Sequence, residues 1–500
     1  MKALASRRYE ITAIALCILA LITWRAIVAA NSGFWCDELA WVKFSVGGYL
    51  ETFENVRREP GPHGPFDLLF IAFSGKQLIN IGINPHLALR AATITLITLT
   101  ALLPFISTVV SRRERWLWLL WTTTSTALNA MAINARPSAG LIFFSSCALF
   151  TGLEIIRGKQ QASRYLWVLL GLLSFSAVAH PYIIFPTFFL LALVPFSNFS
   201  RKEKIKIFIF LGAGIVLRLF WQLVIREPAG FPAVPFDTFL QNVLTAQWKG
   251  PVLETLHALA GLGTPLKILL PFALAGIVFC FRENRFWGTY LTVVSFAVIA
   301  VPLLLNVKYG LPFSARQTFA ALPFWGWAIT TALSRASSAK WAVRVPVCLI
   351  FFVVGVVMPL NHWLKNRPPH VDIPRYKLHE FMGKAEFSHG KQVIVLSYCH
   401  LEPANLYSPR GNFNEYFASY AASQAAVIAA APGVIEWTNK ASSCQGTVPD
   451  FPDDMTLLDR VRADPAAFVV IAPFNVKVPE VLRGLVCRTE VNTGCLGRSE

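Results

Sequence analysis

Charge is scarce in this chain. Asp, Glu, Lys and Arg make up 15% of its 500 residues, against roughly 25% in ordinary globular chains. Together with its heavy apolar content, that shortage excludes a disordered chain, a fibrous one and a purely soluble enzyme. No internal repeat and no low-complexity tract stands out. No CxxC pair with a nearby His pair is present, so the usual spacing of a zinc site is missing. The net charge of +17 is not gathered on a folded basic face, which argues against nucleic acid as a partner. A nucleophilic Ser or Cys with an adjacent base, the mark of covalent catalysis, is also missing; Cys36 reads as a packing residue.

Apolar surface is abundant instead. Hydrophobic residues reach 55%, mean hydropathy is +0.51, and the chain carries 39 Phe and 15 Trp. The composition describes an α-helical multi-pass membrane protein with membrane lipid as its solvent. A spanning helix needs about 20 mostly apolar residues, and about eleven stretches qualify: 11–30, 87–110, 116–134, 139–156, 165–180, 182–198, 207–225, 265–281, 287–305, 317–334 and 345–361. The first reads as an uncleaved helix and not as a signal peptide, since it is long for one and more spans follow. The stretch 64–83 is interrupted by Asp67 and Lys76 and reads as interfacial or re-entrant.

The charge has a location. Residues 362–500 hold 14 basic and 14 acidic residues, so the first 361 residues carry the whole excess. Eighteen bases sit in six short clusters: Lys2/Arg7/Arg8, Arg112/Arg113/Arg115, Arg157/Lys159/Arg164, Arg201/Lys202/Lys204/Lys206, Arg282/Arg285 and Arg335/Lys340/Arg344. They fall between alternate pairs of spans, as positive-inside topology requires. The N-terminus is therefore expected in the cytoplasm, and residues 362–500 on the opposite, periplasmic side. The bacterial inner membrane is the expected location, since no retention or sorting signal is present.

Two domains follow from this reading. Residues 1–361 form the transmembrane part, with long outer loops at 31–86 and 226–264. A linker containing Pro368-Pro369 leads to a small soluble α/β domain over 362–500, with VIVLSY (393–398) and FVVIA (468–472) as buried strands. Its cysteines Cys399, Cys444, Cys487 and Cys495 lie in an expected oxidising space and allow three pairings. Cys487–Cys495 with Cys399–Cys444 is the expected one.

Six of the fourteen acids of the membrane part lie within 31–67, and the Asp37-Glu38 pair follows the first span almost at once. Carboxylates at that depth are costly unless a metal, a hydroxyl or a cation meets them. Bases and imidazoles stand at other outer ends: His63 in PGPHGPF, Arg136 in INARPSAG, His180 beside Tyr182 in AHPYIIF, and Lys308, Tyr309 and Arg316 in NVKYGLPFSARQ. Arg at an outer end opposes the orientation rule, and its planar fork matches phosphate. Jointly these groups describe an outer-face cavity for an anionic, lipid-borne ligand beside a hydroxyl nucleophile.

In the order and placement of these motifs the chain resembles GT-C glycosyltransferases of the protein O-mannosyltransferase and lipid A aminoarabinose transferase type. The matching features are Asp37-Glu38 in the first outer loop, His63-Gly64-Pro65 after it, Arg136-Pro137, and Arg316 followed by Leu322-Pro323. Asn134 and Ser138 stand where relatives often carry an acid and an aromatic. The resemblance covers about 1–361. It implies a GT-C-like fold and an inverting transfer of a sugar from a polyprenyl-phosphate donor to a lipid, glycan or protein acceptor. Asp37 is then the expected base, and Glu38 orients the acceptor or holds a divalent Mg²⁺ or Mn²⁺. Arg316, Lys308 and Arg136 are expected at the donor phosphate, and His63, His180 and Tyr309 at substrate. A lipid or polysaccharide transporter, an envelope-assembly scaffold without catalysis, and a transferase using another lipid donor are the competing readings.

Overall fold

The computed structural model describes residues 2–30, 65–83, 85–158, 161–176, 179–225, 266–309, 315–358, four strands beyond residue 390 and a few isolated positions. The chain divides into two compact units. One comprises Met1–Ile27, Tyr49–Ser74 and Arg90–Pro368; the other comprises Val28–Gly48, Gly75–Leu89 and Pro369–Glu500.

Apolar runs become helices because lipid offers backbone N–H and C=O groups no partner. The helices are α1 (Lys2–Ala30), α2 (Pro65–Asn80), α3 (Pro85–Ile106), α4 (Arg112–Thr124), α5 (Thr126–Ala132), α6 (Ser138–Arg157) and α7 (Arg164–Phe175). They continue as α8 (Ile184–Leu193), α9 (Arg201–Phe220), α10 (Leu266–Glu283), α11 (Arg285–Tyr309), α12 (Leu322–Ala336) and α13 (Trp341–Phe351). Short 3-10 helices precede α8 (Pro181–Ile183) and α12 (Ala315–Ala321). Among the described residues, four stretches are long and apolar enough to cross a membrane: Tyr9–Ala30, Leu87–Ile106, Ser138–Arg157 and Arg201–Ile225. The protein is an integral membrane protein on that basis. The interrupted stretch 64–83 forms α2, which ends in a Schellman turn. There Gly82 takes φ 86°, its N–H reaches the Ile79 carbonyl at 2.9 Å, and Ile83 N–H reaches that of Leu78 at 3.0 Å.

One expected span is interrupted. Residues 116–134 read as continuous, but the helix breaks at Ser125, which closes α4 and opens α5. Its backbone N–H bonds the Trp121 carbonyl at 2.9 Å, and its hydroxyl accepts from Leu128 N–H at 3.4 Å. The run Thr122-Thr123-Thr124-Ser125-Thr126 supplies the cause, because hydroxyl side chains compete for the helix's own backbone groups. Thr122, Thr123 and Thr124 all donate back into α4.

The core is centred on α6, whose residues from Ala139 to Ile156 are buried without exception. Trp118, Phe150 and Trp327 meet there with ring centroids 5.2 to 6.0 Å apart. Lipid tails are as apolar as these side chains, so close packing, and not water exclusion, holds the helices together. By contrast α1 leaves Leu16, Leu19 and Ile27 more than half exposed, as expected of a lipid-facing helix.

One end of the bundle is fastened by charge. Arg157, the last residue of α6, pairs with Glu114 at 3.1 Å and with Glu283 at 2.6 Å, and Arg335 reaches Glu283 at 3.7 Å. Glu10 of α1 accepts from Arg112 at 3.0 Å and from the Trp116 indole at 3.1 Å. Beneath these, the buried Glu154 carboxylate accepts the hydroxyls of Ser107 at 2.6 Å and Ser163 at 2.9 Å. The starts of α4 and α7 and the ends of α6, α10 and α12 therefore share this end with the first turns of α1. Helix direction places Arg136, His180, Lys308 and Arg316 at the other end.

In the second unit four parallel strands form one sheet: β1 (Gln392–Ser397), β2 (Val434–Thr438), β3 (Phe468–Ala472) and β4 (Val486–Arg488), in the order β2-β1-β3-β4. In register, Ile394 faces Ile435 and Val470, and Ile471 faces Cys487. The two segments read as strands are β1 and β3. Parallel neighbours need crossover connections, and those of this sheet lie outside the described residues. So do Cys399, Cys444 and Cys495, and no disulfide is present among the described residues, where Cys17, Cys147, Cys280 and Cys348 are free thiols.

Candidate functional site

The end of the bundle opposite the ionic network gathers the polar turns. Arg136 lies half-buried in the turn between α5 and α6, where its N–H bonds the Asn134 carbonyl at 2.7 Å. Pro137 then opens α6 as its N-cap without a side-chain bond. The 3-10 helix Ala315–Ala321, which carries Arg316, packs against α6, α11 and the 3-10 helix Pro181–Ile183. Lys308 and Tyr309 are the last two residues of α11. The backbone thus brings the segments of Arg136, His180, Lys308, Tyr309 and Arg316 to one end. The side chains of Lys308, Tyr309 and Arg316 lie outside the described set. Asp37, Glu38 and His63 lie outside the described residues altogether.

His180 sits in the turn between α7 and α8 and is 7% exposed. Its Nδ1 accepts the Tyr182 N–H at 3.4 Å, and the two rings are 5.0 Å apart. Burial, helped by the nearby charge of Arg218, holds the imidazole pKa down to about 3. At neutral pH His180 therefore offers hydrogen bonds and no charge. Arg218, near the end of α9, donates to the Ala179 carbonyl at 2.9 Å and fixes this turn. His180, Arg218, Ser176 and Thr187 line a small cavity between α7, α8 and α9.

Three arginines escaped the sequence reading: Arg25, Arg90 and Arg218, all buried inside apolar helices. The signal was present, since an ionisable residue within a span is a functional-site hypothesis by default. It was hidden because each run remains apolar on average with one Arg included. Arg25 is fully buried. Its Nε and Nη2 donate to Asn129 Oδ1 at 3.1 and 2.8 Å, and its Nη1 donates to Thr98 Oγ1 at 3.1 Å.

A divalent cation would call on oxygen ligands. Among the described residues no group of three or more His, Cys, Asp and Glu stands together, and Glu38, the residue expected to hold the metal, lies outside them.

No family model and no curated protein matches the sequence. Among solved structures, the chain is similar to ArnT from Cupriavidus metallidurans in the apo state. Identity is 11% and the TM-score 0.44, over 83% of this chain and 88% of that one. The same protein bound to undecaprenyl phosphate gives 13% identity and a TM-score of 0.43, over 81% and 87%. The Archaeoglobus fulgidus oligosaccharyltransferase in the apo form gives 12% and 0.43, over 76% of this chain and 62% of that one.

Proposed function

We propose that the chain is a membrane glycosyltransferase that moves a sugar from a polyprenyl-phosphate donor to a lipid, glycan or protein acceptor, with inversion. The observation that carries this reading is the gathering of the Arg136, His180, Lys308 and Arg316 segments at one end of the bundle. A departing polyprenyl phosphate develops negative charge, and Arg136, Arg316 and Lys308 supply the cations to stabilise it. The acceptor hydroxyl must lose its proton as it attacks, and a carboxylate within hydrogen-bond reach takes it. Asp37 has that role, with Glu38 orienting the acceptor or holding Mg²⁺ or Mn²⁺. His180, neutral in its buried turn, suits a hydroxyl better than a phosphate, as do His63 and Tyr309.

A second reading, transport, is favoured by the break at Ser125, because discontinuous helices mark substrate sites in transporters. One experiment separates the two. Envelope glycans and lipid-linked sugars are compared by mass spectrometry in hosts lacking this chain and complemented with wild type or Asp37→Asn. In the transferase reading, one sugar leaves a polymer or lipid, and its polyprenyl-phosphate form accumulates, in both the null and the mutant. Full complementation by Asp37→Asn would remove the acidic pair from the chemistry and leave transport or scaffolding.

A further inference from the structure

We infer that Arg25 is a positioning residue for Arg136, acting through the half-helix α5. The inference rests on the proposed role of Arg136 at a lipid phosphate. α5 spans only Thr126–Ala132, too short to hold its direction unaided. It is cut from α4 by the Ser125 break and leads through Ile133 directly into the Asn134–Arg136 turn. Its orientation therefore sets where that turn lies.

Two side chains from neighbouring helices hold α5, one near its middle and one at its end. At its end, the Thr93 hydroxyl of α3 lies 2.8 Å from the Ala132 carbonyl, sharing its proton with the carbonyl of Arg90. At its middle stands Asn129. Its Nδ2 donates to the Thr123 carbonyl at 2.8 Å, across the break. Its Oδ1 receives two of the three hydrogen bonds of Arg25, and the third goes to Thr98. The Thr98 hydroxyl donates in turn to the Ile94 carbonyl at 2.7 Å, which leaves its oxygen free to accept from Arg25. The guanidinium thus joins α1, α3 and α5, with a fork whose geometry no Lys reproduces.

All of these acceptors are neutral. Stability alone gives little reason for such a group, because apolar side chains of similar volume often replace buried charges without loss. Arg25 ties Asn129 to α1 and α3 while Asn129 spans the break to the Thr123 carbonyl, so the pair fixes the angle of α5, and α5 transmits that angle to Arg136.

The test is a double-mutant cycle read by binding of unglycosylated polyprenyl phosphate to the purified full-length protein in lipid nanodiscs. Melting temperature is recorded for each variant. Arg25→Met is expected to raise Kd about tenfold, a change of ~1.4 kcal/mol. In an Arg136→Ala background the same substitution should leave Kd unchanged. If the two losses multiply instead, Arg25 does not act through Arg136 and the inference falls. If Arg136→Ala alone leaves Kd unchanged, the phosphate reading of the turn fails first. If Arg136→Ala weakens binding and Arg25→Met does not, the inference alone fails. Should Arg25→Met fail to fold, Thr93→Val removes the other tie on α5 with its shape retained and is carried through the same cycle.

Discussion

The guanidinium of Arg157 meets two carboxylates at once, and its carbon lies 5.9 Å from the centre of the Trp327 ring. Glu114, one of the two, is also the N3 residue of α4. Its side chain accepts the Ser111 N–H at 2.9 Å while Ser111 caps the helix in return. Burial by itself would raise the Glu114 pKa, but Arg157 and the bonds from Ser111 outweigh it and hold the carboxyl below its ordinary 4.5. A depressed folded-state value means that the stabilisation is complete above 4.5 and is lost as pH falls through the lowered value. Glu114→Gln keeps a capping-box acceptor, deletes the charge and removes one of the two oxygens that accept from Arg157. At pH 7 it should cost about 2 kcal/mol, the scale of a hydrogen bond to a charged group, since Arg157 keeps Glu283. Melting in detergent at a series of pH values checks this: the wild-type advantage should shrink below pH 4.5. An advantage that persists at pH 3 would mean that the contact works through packing and not through charge.

Elements in this bundle approach one another where side chains are small. A Cβ added to Gly276 of α10 would run into the Ala328 carbonyl of α12, and one added to Gly326 would meet the Trp121 ring of α4. Backbone is the harder obstacle, because a ring can turn and a helix carbonyl cannot. Gly276→Ala should therefore force α10 and α12 apart and cost at least the 1–3 kcal/mol typical of overpacking. Thermal melting should show this loss against a small gain for Gly171→Ala, where nothing lies within 4 Å of the added atom and alanine is the better helix former. Equal changes at the two sites would indicate that the approach at Gly276 is relieved without cost. Nothing in the sequence singles out Gly276 from the other glycines, since its neighbour Ala328 is distant in the chain. The helices themselves were legible because lipid forces an apolar run to satisfy its own backbone. The Ser125 break was not, since four threonines and a serine lower hydropathy without ending the run. Arg25 went unread for the related reason that averages over a span conceal one charge. The turns carrying Arg136 and His180 were legible from Pro137 and Pro181, which mark where helices start.

At the scale of the whole molecule, the alternation of basic clusters made a claim about sides, and the contacts bear on it independently. Glu10 meets Arg112, Arg157 meets Glu283, and Arg335 meets Glu283. Lys204 of α9 reaches the Pro195 carbonyl, and the neighbouring Phe196 stacks on Phe286 at 3.6 Å, at the start of α11. Clusters separated by two spans in the chain thus occupy one end of the bundle, which a random scatter of bases would not produce. Positive charge is retained on the cytoplasmic side, so this end should face the cytoplasm and the Arg136 turn should face away. Single cysteines in a background freed of the native ones test the assignment with a membrane-impermeant maleimide on intact cells. A cysteine at Ser338, exposed just beyond α12, should stay unlabelled until the membrane is opened, whereas one at Glu59 in the 31–86 loop should react at once. The reverse pattern would put the Asp37-Glu38 loop in the cytoplasm. A soluble nucleotide sugar could then reach it, and the requirement for a lipid-carried donor would lose its physical basis.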